Sequence, residues 1–224
     1  MPIASVVRGH FTKKNMMRNF TILLTLIFVC SCNNTKKQTM QTIQPESSTF
    51  KTFLQKFKPI DLPFIYRDSY SLTLVDINNL PKLDSNSSDT LFLKSEFPDE
   101  TYCYGILTDT ANFYSLIYLF PADALYPVLV TYTKTGKLID KTYLSVNGCG
   151  SDAGLTYCSS TSIINKDLTV FCADTVKYDF ICDSVGKEIP NSSEILIDTK
   201  KGRLTKNGKI IMGQIHNSKQ KTTP

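Results

Sequence analysis

The chain has 224 residues, of which 42% are hydrophobic and seven are cysteines. This length and composition exclude a wholly disordered chain and a small scaffold held together by disulfides. The first 31 residues contain four basic residues and no acidic one, so the remainder carries 21 basic against 20 acidic residues. That balance argues against a nucleic-acid partner, which the whole-chain net charge of +5 would otherwise indicate.

A basic segment at the N-terminus precedes an apolar run of ten residues, 20–29. The run is too short to span a bilayer as a helix and has the length of a signal-peptide core. The residues Val29-Cys30-Ser31-Cys32 resemble the lipobox of bacterial lipoproteins, in which a small residue precedes an invariant cysteine. The resemblance implies cleavage of a signal peptide, residues 1–31, before Cys32, and a diacylglycerol on the Cys32 sulfur. Cleavage before Cys30 would instead place the bulky Val29 where a small residue is needed.

Residues 33–46 are polar and predict a flexible tether between the lipid anchor and the folded domain. Asn33, rather than an acidic residue, follows the lipidated position. By resemblance to the enteric sorting rule, this implies an outer-membrane lipoprotein, with its body on the periplasmic or the cell-surface face. A plain secretory signal or a non-cleaved anchor is the alternative, and translation starts at Met1, Met16 or Met17.

Residues 47–212 predict a single β-rich domain, followed by a disordered basic tail, 213–224. A short helix begins this domain, because four apolar side chains recur at helical spacing: Phe50, Phe53, Leu54 and Phe57. Ser48 is expected to cap its start and Pro59 to end it. We expect the helix to pack on its own domain rather than in the membrane interface.

After Tyr102 the sequence alternates between apolar and polar residues, which predicts strands. Residues 126–132 and 138–144 form the clearest hairpin, joined at Thr135-Gly136. Glycine turns are also expected at Val185-Gly186, Lys201-Gly202 and Asn207-Gly208. The predicted fold is therefore mainly β, an antiparallel meander or sandwich with a short N-terminal helix, and a monomer.

Three further segments complete the fold prediction. Residues 112–120 are apolar on both faces and predict a central strand, and residues 80–90 predict a surface loop. Residues 168–182 alternate throughout, with only Asp174 breaking the inward row, so a bulge or bend is expected at Ala173-Asp174. A continuous strand separates Cys172 from Cys182 by about 33 Å, so these two cysteines are not expected to be disulfide partners.

From the sequence we predict no catalytic residues, no metal site and no cofactor. Its two histidines, His10 and His216, lie before the expected cleavage site and in the basic tail, which argues against histidine-activated nucleophiles. We therefore expect a non-enzymatic binding module whose ligand is a protein or a glycan. The alternatives are an immunity or inhibitor protein against a periplasmic toxin, or a histidine-independent hydrolase.

Three stretches offer candidate chemistry, each with a simpler interpretation. The glycine-rich stretch 147–154 is a candidate binding loop, but a connection closed by a disulfide between Cys149 and Cys158 is favoured. Residues 84–89 space oxygens as a calcium loop does, but Asp89 stands at the glycine position, which favours a solvated loop. Four tyrosines are candidates for an aromatic platform that binds a sugar or a peptide, although packing in the core or the sheet is the favoured interpretation. They are Tyr114, Tyr118, Tyr126 and Tyr132.

Two surface features remain. The basic segment 200–209, with Lys219 and Lys221, is a candidate for contact with anionic lipid, although a solvated edge hairpin with a frayed end is the favoured interpretation. Four Asp-Ser/Thr pairs followed by a small or aliphatic residue resemble the O-glycosylation sites of some Gram-negative anaerobes, and the acceptors would be Thr90, Thr110, Thr175 and Ser184.

Overall fold

Strands dominate the fold, and the prediction of a mainly β, largely antiparallel protein is confirmed. The computed structural model describes residues 47–69, 72–73, 76–108, 111–122, 124–148 and 154–221. Its helices are α1 (Ser48–Leu54), α2 (Asp89–Phe92) and a 3-10 turn (Pro98–Glu100). Its strands are β1 (Lys58–Ile60), β2 (Phe64–Ser69), β3 (Leu72–Thr73), β4 (Tyr102–Leu107), β5 (Phe113–Pro121), β6 (Leu125–Thr133), β7 (Leu138–Tyr143), β8 (Leu155–Ile164), β9 (Thr169–Tyr178), β10 (Ile181–Cys182), β11 (Glu188–Ile189), β12 (Glu194–Leu204) and β13 (Ile210–Lys221).

The strands form two main sheets and a small hairpin. The first sheet has the order β1-β4-β5-β6-β7, and the second has the order β13-β12-β9-β8-β2-β3. Strands β10 and β11 form a separate two-stranded sheet. All pairings are antiparallel except that of β1 with β4. The turns expected at Thr135-Gly136, Val185-Gly186 and Asn207-Gly208 each join two strands, and their glycines adopt a positive φ.

The two sheets pack face to face around one apolar core. The six-stranded sheet contributes Phe64, Ile164 and Val170, while Ile117 and Leu119 of β5 come from the five-stranded sheet. The fold is thus a β-sandwich. The predicted central strand is confirmed by β5, which lies between β4 and β6 and is buried on both faces.

A second core lies on the other face of the five-stranded sheet, where α1 packs. Phe50 and Phe53 of α1, and Phe57 just after it, are buried against Leu116 and Tyr132, so the predicted docking of this helix on its own domain is confirmed. The helix begins one residue earlier than expected. Ser47, not Ser48, is the N-cap, because the Ser47 Oγ accepts the Phe50 N–H at 3.2 Å.

The C-terminal hairpin differs from the prediction in two ways. Lys201-Gly202 is not a turn, because β12 continues through it to Leu204, with an irregularity against β13 between Lys200 and Gly202. Residues 213–221 are not a disordered tail, because they are the last nine of the twelve residues of β13. The turn at Asn207-Gly208 brings them into register with β12, and the ion pair between Lys219 and the buried Glu194 holds them there.

The long alternating segment also differs from the prediction. There is no bulge at Ala173-Asp174, since β9 pairs continuously with both β8 and β12 through these residues. The strand ends at Tyr178, and a separate short strand contains Cys182. Cys172 and Cys182 are both free thiols, so the prediction that they are not partners is confirmed.

Candidate binding site

An open cleft of about 410 Å³ lies where the two sheets meet near the end of β7. It is bordered by β6, β7 and β12, together with residues 144–148, which we call the cleft loop. Its lining residues are Tyr126, Thr142, Tyr143, Ser145, Val146, Asn147 and Lys200. This volume lies within the range of small-molecule sites, about 300–1,000 Å³.

The cleft loop is fastened to the six-stranded sheet by the carboxylate of Asp174 on β9. Asp174 Oδ2 accepts hydrogen bonds from the backbone N–H groups of Val146 at 3.2 Å, Asn147 at 2.7 Å and Gly148 at 2.8 Å. Only 3% of Asp174 is exposed. The three N–H groups therefore compensate for the hydrogen bonds to water that the carboxylate loses on burial. Asp174 Oδ1 has no hydrogen-bond partner among the described residues.

Two amide side chains extend this network across the sheet. Asp198, the residue opposite Asp174 on β12, accepts a hydrogen bond from Asn147 Nδ2 at 2.5 Å on one oxygen. Its other oxygen accepts one from Asn217 Nδ2 of β13 at 2.7 Å. The carboxylates of Asp174 and Asp198 therefore position the cleft loop.

Gly148 and Tyr126 meet at the edge of the cleft. Gly148 has a φ of +77°, a conformation that favours glycine. A Cβ on this residue would lie 2.6 Å from the Tyr126 hydroxyl oxygen. The glycine is needed here both for the backbone conformation and for the close approach of the tyrosine.

Two polar groups in the cleft lining, on Lys200 and Ser145, have no hydrogen-bond partner among the described residues. Within the described part of the chain, neither the Lys200 ammonium nor the Ser145 hydroxyl takes part in a hydrogen bond or ion pair. Lys200 lies opposite Cys172 on β9 and Ile215 on β13, so its neighbours across the sheet carry no charge at neutral pH. These two groups are available to a ligand.

No histidine among the described residues lines the cleft, so no imidazole is placed there to activate a nucleophilic side chain. The only histidine described is His216, an exposed residue of β13 that does not line the cleft. Burial raises the pKa of the Cys103 and Cys172 thiols to about 12, so both stay protonated at neutral pH.

Of the predicted disulfide between Cys149 and Cys158, the structure describes only Cys158. Cys158 is disulfide-bonded, while Cys103, Cys172 and Cys182 are free. Its partner therefore lies outside the described residues, as does Cys149, and the pairing of Cys149 with Cys158 stays a prediction. The lipidation residue Cys32 also lies outside the described residues.

The calcium-like segment is a structural loop. Asp89 begins α2, and its carboxylate forms an ion pair with Lys56 and accepts the Asp84 N–H at 3.0 Å. It therefore faces a cation of the protein itself. Among the described residues, no group of three or more His, Cys, Asp or Glu side chains is placed to hold a metal ion.

The tyrosine row does not form a platform. Tyr118 and Tyr132 are fully buried in the core beneath α1, as the favoured interpretation predicted. The Lys134 ammonium lies 3.8 Å from the centre of the Tyr114 ring. Of these four tyrosines, Tyr126 lines the cleft, together with Tyr143, a residue for which the sequence predicted no role.

The predicted glycosylation acceptors occupy different environments. Thr90 lies in α2 and Thr175 in β9, where each is partly buried. Ser184 lies in the exposed turn between β10 and β11. Thr110 lies outside the described residues. Of the three acceptors described, Ser184 is the one most accessible to a glycosyltransferase.

Comparison with known proteins gives no relative, since no family model, curated protein or solved structure matches this chain. None of the helices in the described part of the chain is long and apolar enough to cross a membrane.

Proposed function

We propose that this chain is a lipid-anchored outer-membrane lipoprotein whose domain is a non-enzymatic binding module. The observation that carries the binding role is the cleft, in which Lys200 and Ser145 have no partner in the described protein. Polar groups left uncommitted in a concave site are the groups that fix the orientation of a ligand. Function therefore rests on this site and not on the fold.

The support for the anchor comes from the sequence. Cys32 follows the small residue Ser31, a signal-length apolar run precedes it, and the polar tether 33–46 comes after it. The tether would let the domain reach ligands at some distance from the membrane. Two acyl chains on the Cys32 sulfur would hold the protein stably at the membrane, where a single chain binds only marginally.

A histidine-independent hydrolase has less support. Such an enzyme requires two carboxylates that face a substrate. The two carboxylates that hold the cleft loop bind the protein itself: Asp174 Oδ2 accepts backbone N–H groups, and both oxygens of Asp198 accept side-chain amides. Removing either carboxylate would loosen the cleft loop rather than remove a reacting group.

The proposal is tested with the full chain in detergent micelles. Oligosaccharide and peptide fractions prepared from the bacterial cell envelope are titrated against it by calorimetry. We expect saturable binding to one fraction and a loss of at least about tenfold in affinity in Tyr143→Ala. Tyr157→Ala is the matched control, because both tyrosines are 45% exposed and Tyr157 lies on β8 outside the cleft. Absence of saturable binding, or equal effects of both variants, contradicts the proposal.

A further inference from the structure

We infer that the cleft takes a short glycan that carries a carboxylate. This inference rests on the proposed function and names the ligand class of the same site. Three observations on the cleft lining support it. The Lys200 ammonium has no ion pair, neutral polar groups can both donate and accept hydrogen bonds, and the aromatic ring of Tyr143 is half-exposed. Each observation selects a different part of such a ligand.

The charge comes from Lys200. It lies on the inner face of β12, between the uncharged Cys172 and Ile215 on the neighbouring strands. Neither Asp174 nor Asp198 forms a hydrogen bond or an ion pair with the Lys200 ammonium, because their oxygens bind the cleft loop and Asn217. A ligand carboxylate would supply the missing partner and make a charge-assisted hydrogen bond.

A single ammonium suits a carboxylate better than a phosphate. Lys200 is the only basic residue in the described lining, and a lysine binds as a point charge. A phosphate monoester carries up to two negative charges and several acceptor oxygens, which call for more donors than this cleft offers. One monovalent anion matches the single cation.

The neutral polar groups suit sugar hydroxyls. The hydroxyl of Ser145 both donates and accepts, and it has no partner among the described residues. The Asn147 side chain donates through Nδ2 to Asp198, which leaves its Oδ1 facing no described donor. A sugar hydroxyl, which also donates and accepts, can satisfy both groups at once.

The aromatic ring suits the apolar face of a pyranose. Tyr143 is 45% exposed at the cleft. Its ring packs edge-on against Phe120, with the ring centres 5.9 Å apart, so its orientation is fixed before a ligand arrives. A rigid aromatic face with a polar hydroxyl at its end binds the C–H face of a sugar at low entropic cost.

The experiment uses two sugars that differ only at C6. The full chain in detergent micelles is titrated with methyl β-D-glucuronide and with methyl β-D-glucoside, and binding is followed by ligand-observed NMR. The added charge-assisted hydrogen bond is expected to give the glucuronide an affinity about tenfold higher. Lys200→Met is expected to abolish this preference, and Lys200→Arg to retain it.

Lys201→Met is the matched control, because Lys201 is the next residue of β12, exposed and outside the cleft lining. It should leave the preference unchanged. Equal binding of both sugars that depends on Tyr143 would overturn the carboxylate assignment and leave the binding module intact. Binding of neither sugar, with a peptide fraction bound through Tyr143, would overturn the glycan class alone. Loss of cleft-dependent binding to every envelope fraction would overturn the proposed function itself.

Discussion

The Asp174 carboxylate accepts a hydrogen bond from the Gly148 N–H at 2.8 Å, although the two residues lie 26 positions apart in the chain. Gly148 belongs to the loop that leaves the five-stranded sheet, while Asp174 lies in the middle of the six-stranded sheet. Lys200 is on β12, the strand beside Asp174. The hydrogen bond therefore fixes one wall of the cleft relative to the other.

Replacement of Asp174 is predicted to destabilise the domain strongly. In Asp174→Ala three backbone N–H groups lose their charged acceptor in a buried site, so we expect the free energy of unfolding to fall by about 3 kcal/mol. Urea denaturation measures the change. Asp179→Ala is the control, because Asp179 is 55% exposed and pairs with Lys177 at the surface, where such a pair contributes less than about 1 kcal/mol. Similar small losses in both variants would show that Asp174 does not hold the loop.

The sequence predicted the parts of this fold that depend on local pattern. The apolar faces of β5, the Thr135-Gly136 turn and the amphipathic α1 each follow from residues that are close together in the chain. Strand β2 was not predicted, because the clear alternation of apolar and polar residues begins only near Tyr102. The extension of β13 beyond Met212 was missed because its Lys-rich sequence is typical of a solvated end, and only its long register with β12 orders it.

The cleft was harder to predict for the same reason. Asp174 was visible in the sequence as the one polar residue in a row of inward apolar residues. A bulge or bend was predicted there, whereas the Asp174 carboxylate binds the cleft loop. Ser145 was not indicated by the sequence, and Lys200 was noted only as part of the basic segment 200–209, because the two residues come together only when the two sheets pack. A lone lysine in a basic strand is indistinguishable in sequence from its solvated neighbours.

Gly148 is predicted to be essential for the shape of the cleft. Gly148→Ala imposes a Cβ on a residue with a φ of +77° and places it 2.6 Å from the Tyr126 hydroxyl oxygen. We expect a loss of about 2 kcal/mol, of which roughly 1 kcal/mol comes from the backbone conformation. Thermal or urea unfolding measures it.

Gly186→Ala separates the two contributions. Gly186 has a φ of +82°, but a Cβ there would meet nothing within 4 Å. This variant should show the conformational cost alone, roughly 1 kcal/mol. If the two variants lost the same stability, the contact between Gly148 and Tyr126 would have no energetic weight.

The buried thiols are predicted to make the domain sensitive to alkaline pH. Burial raises the pKa of Cys103 and Cys172 from an ordinary value near 9 to about 12. Between these values the unfolded chain has lost both thiol protons while the folded chain keeps them. The free energy of unfolding is therefore unaffected by these groups below about pH 9, and falls above it by about 1.4 kcal/mol per pH unit for each thiol.

Urea denaturation at a series of pH values measures this slope. Cys172→Ala should lower stability at every pH through lost packing, but it should reduce the alkaline slope by the share of one thiol. An unchanged slope in Cys172→Ala would mean that this thiol ionises as readily in the folded state as in the unfolded chain.

Lipidation of Cys32 is the prediction on which the proposed localisation depends. Cys32→Ser removes the sulfur that would receive the diacylglycerol, so the variant should accumulate as an unlipidated precursor. Cys30→Ser keeps Cys32 and the small residue before it, and should still be processed and attached. Incorporation of labelled palmitate, with membrane fractionation of the two variants and the wild type, measures both steps. Each buried CH₂ contributes about 0.8 kcal/mol, so two acyl chains should keep the wild type in the membrane fraction through high-salt washing. Label in Cys32→Ser, or none in the wild type, would remove the basis for the lipoprotein assignment while leaving the cleft and its ligand to be tested separately.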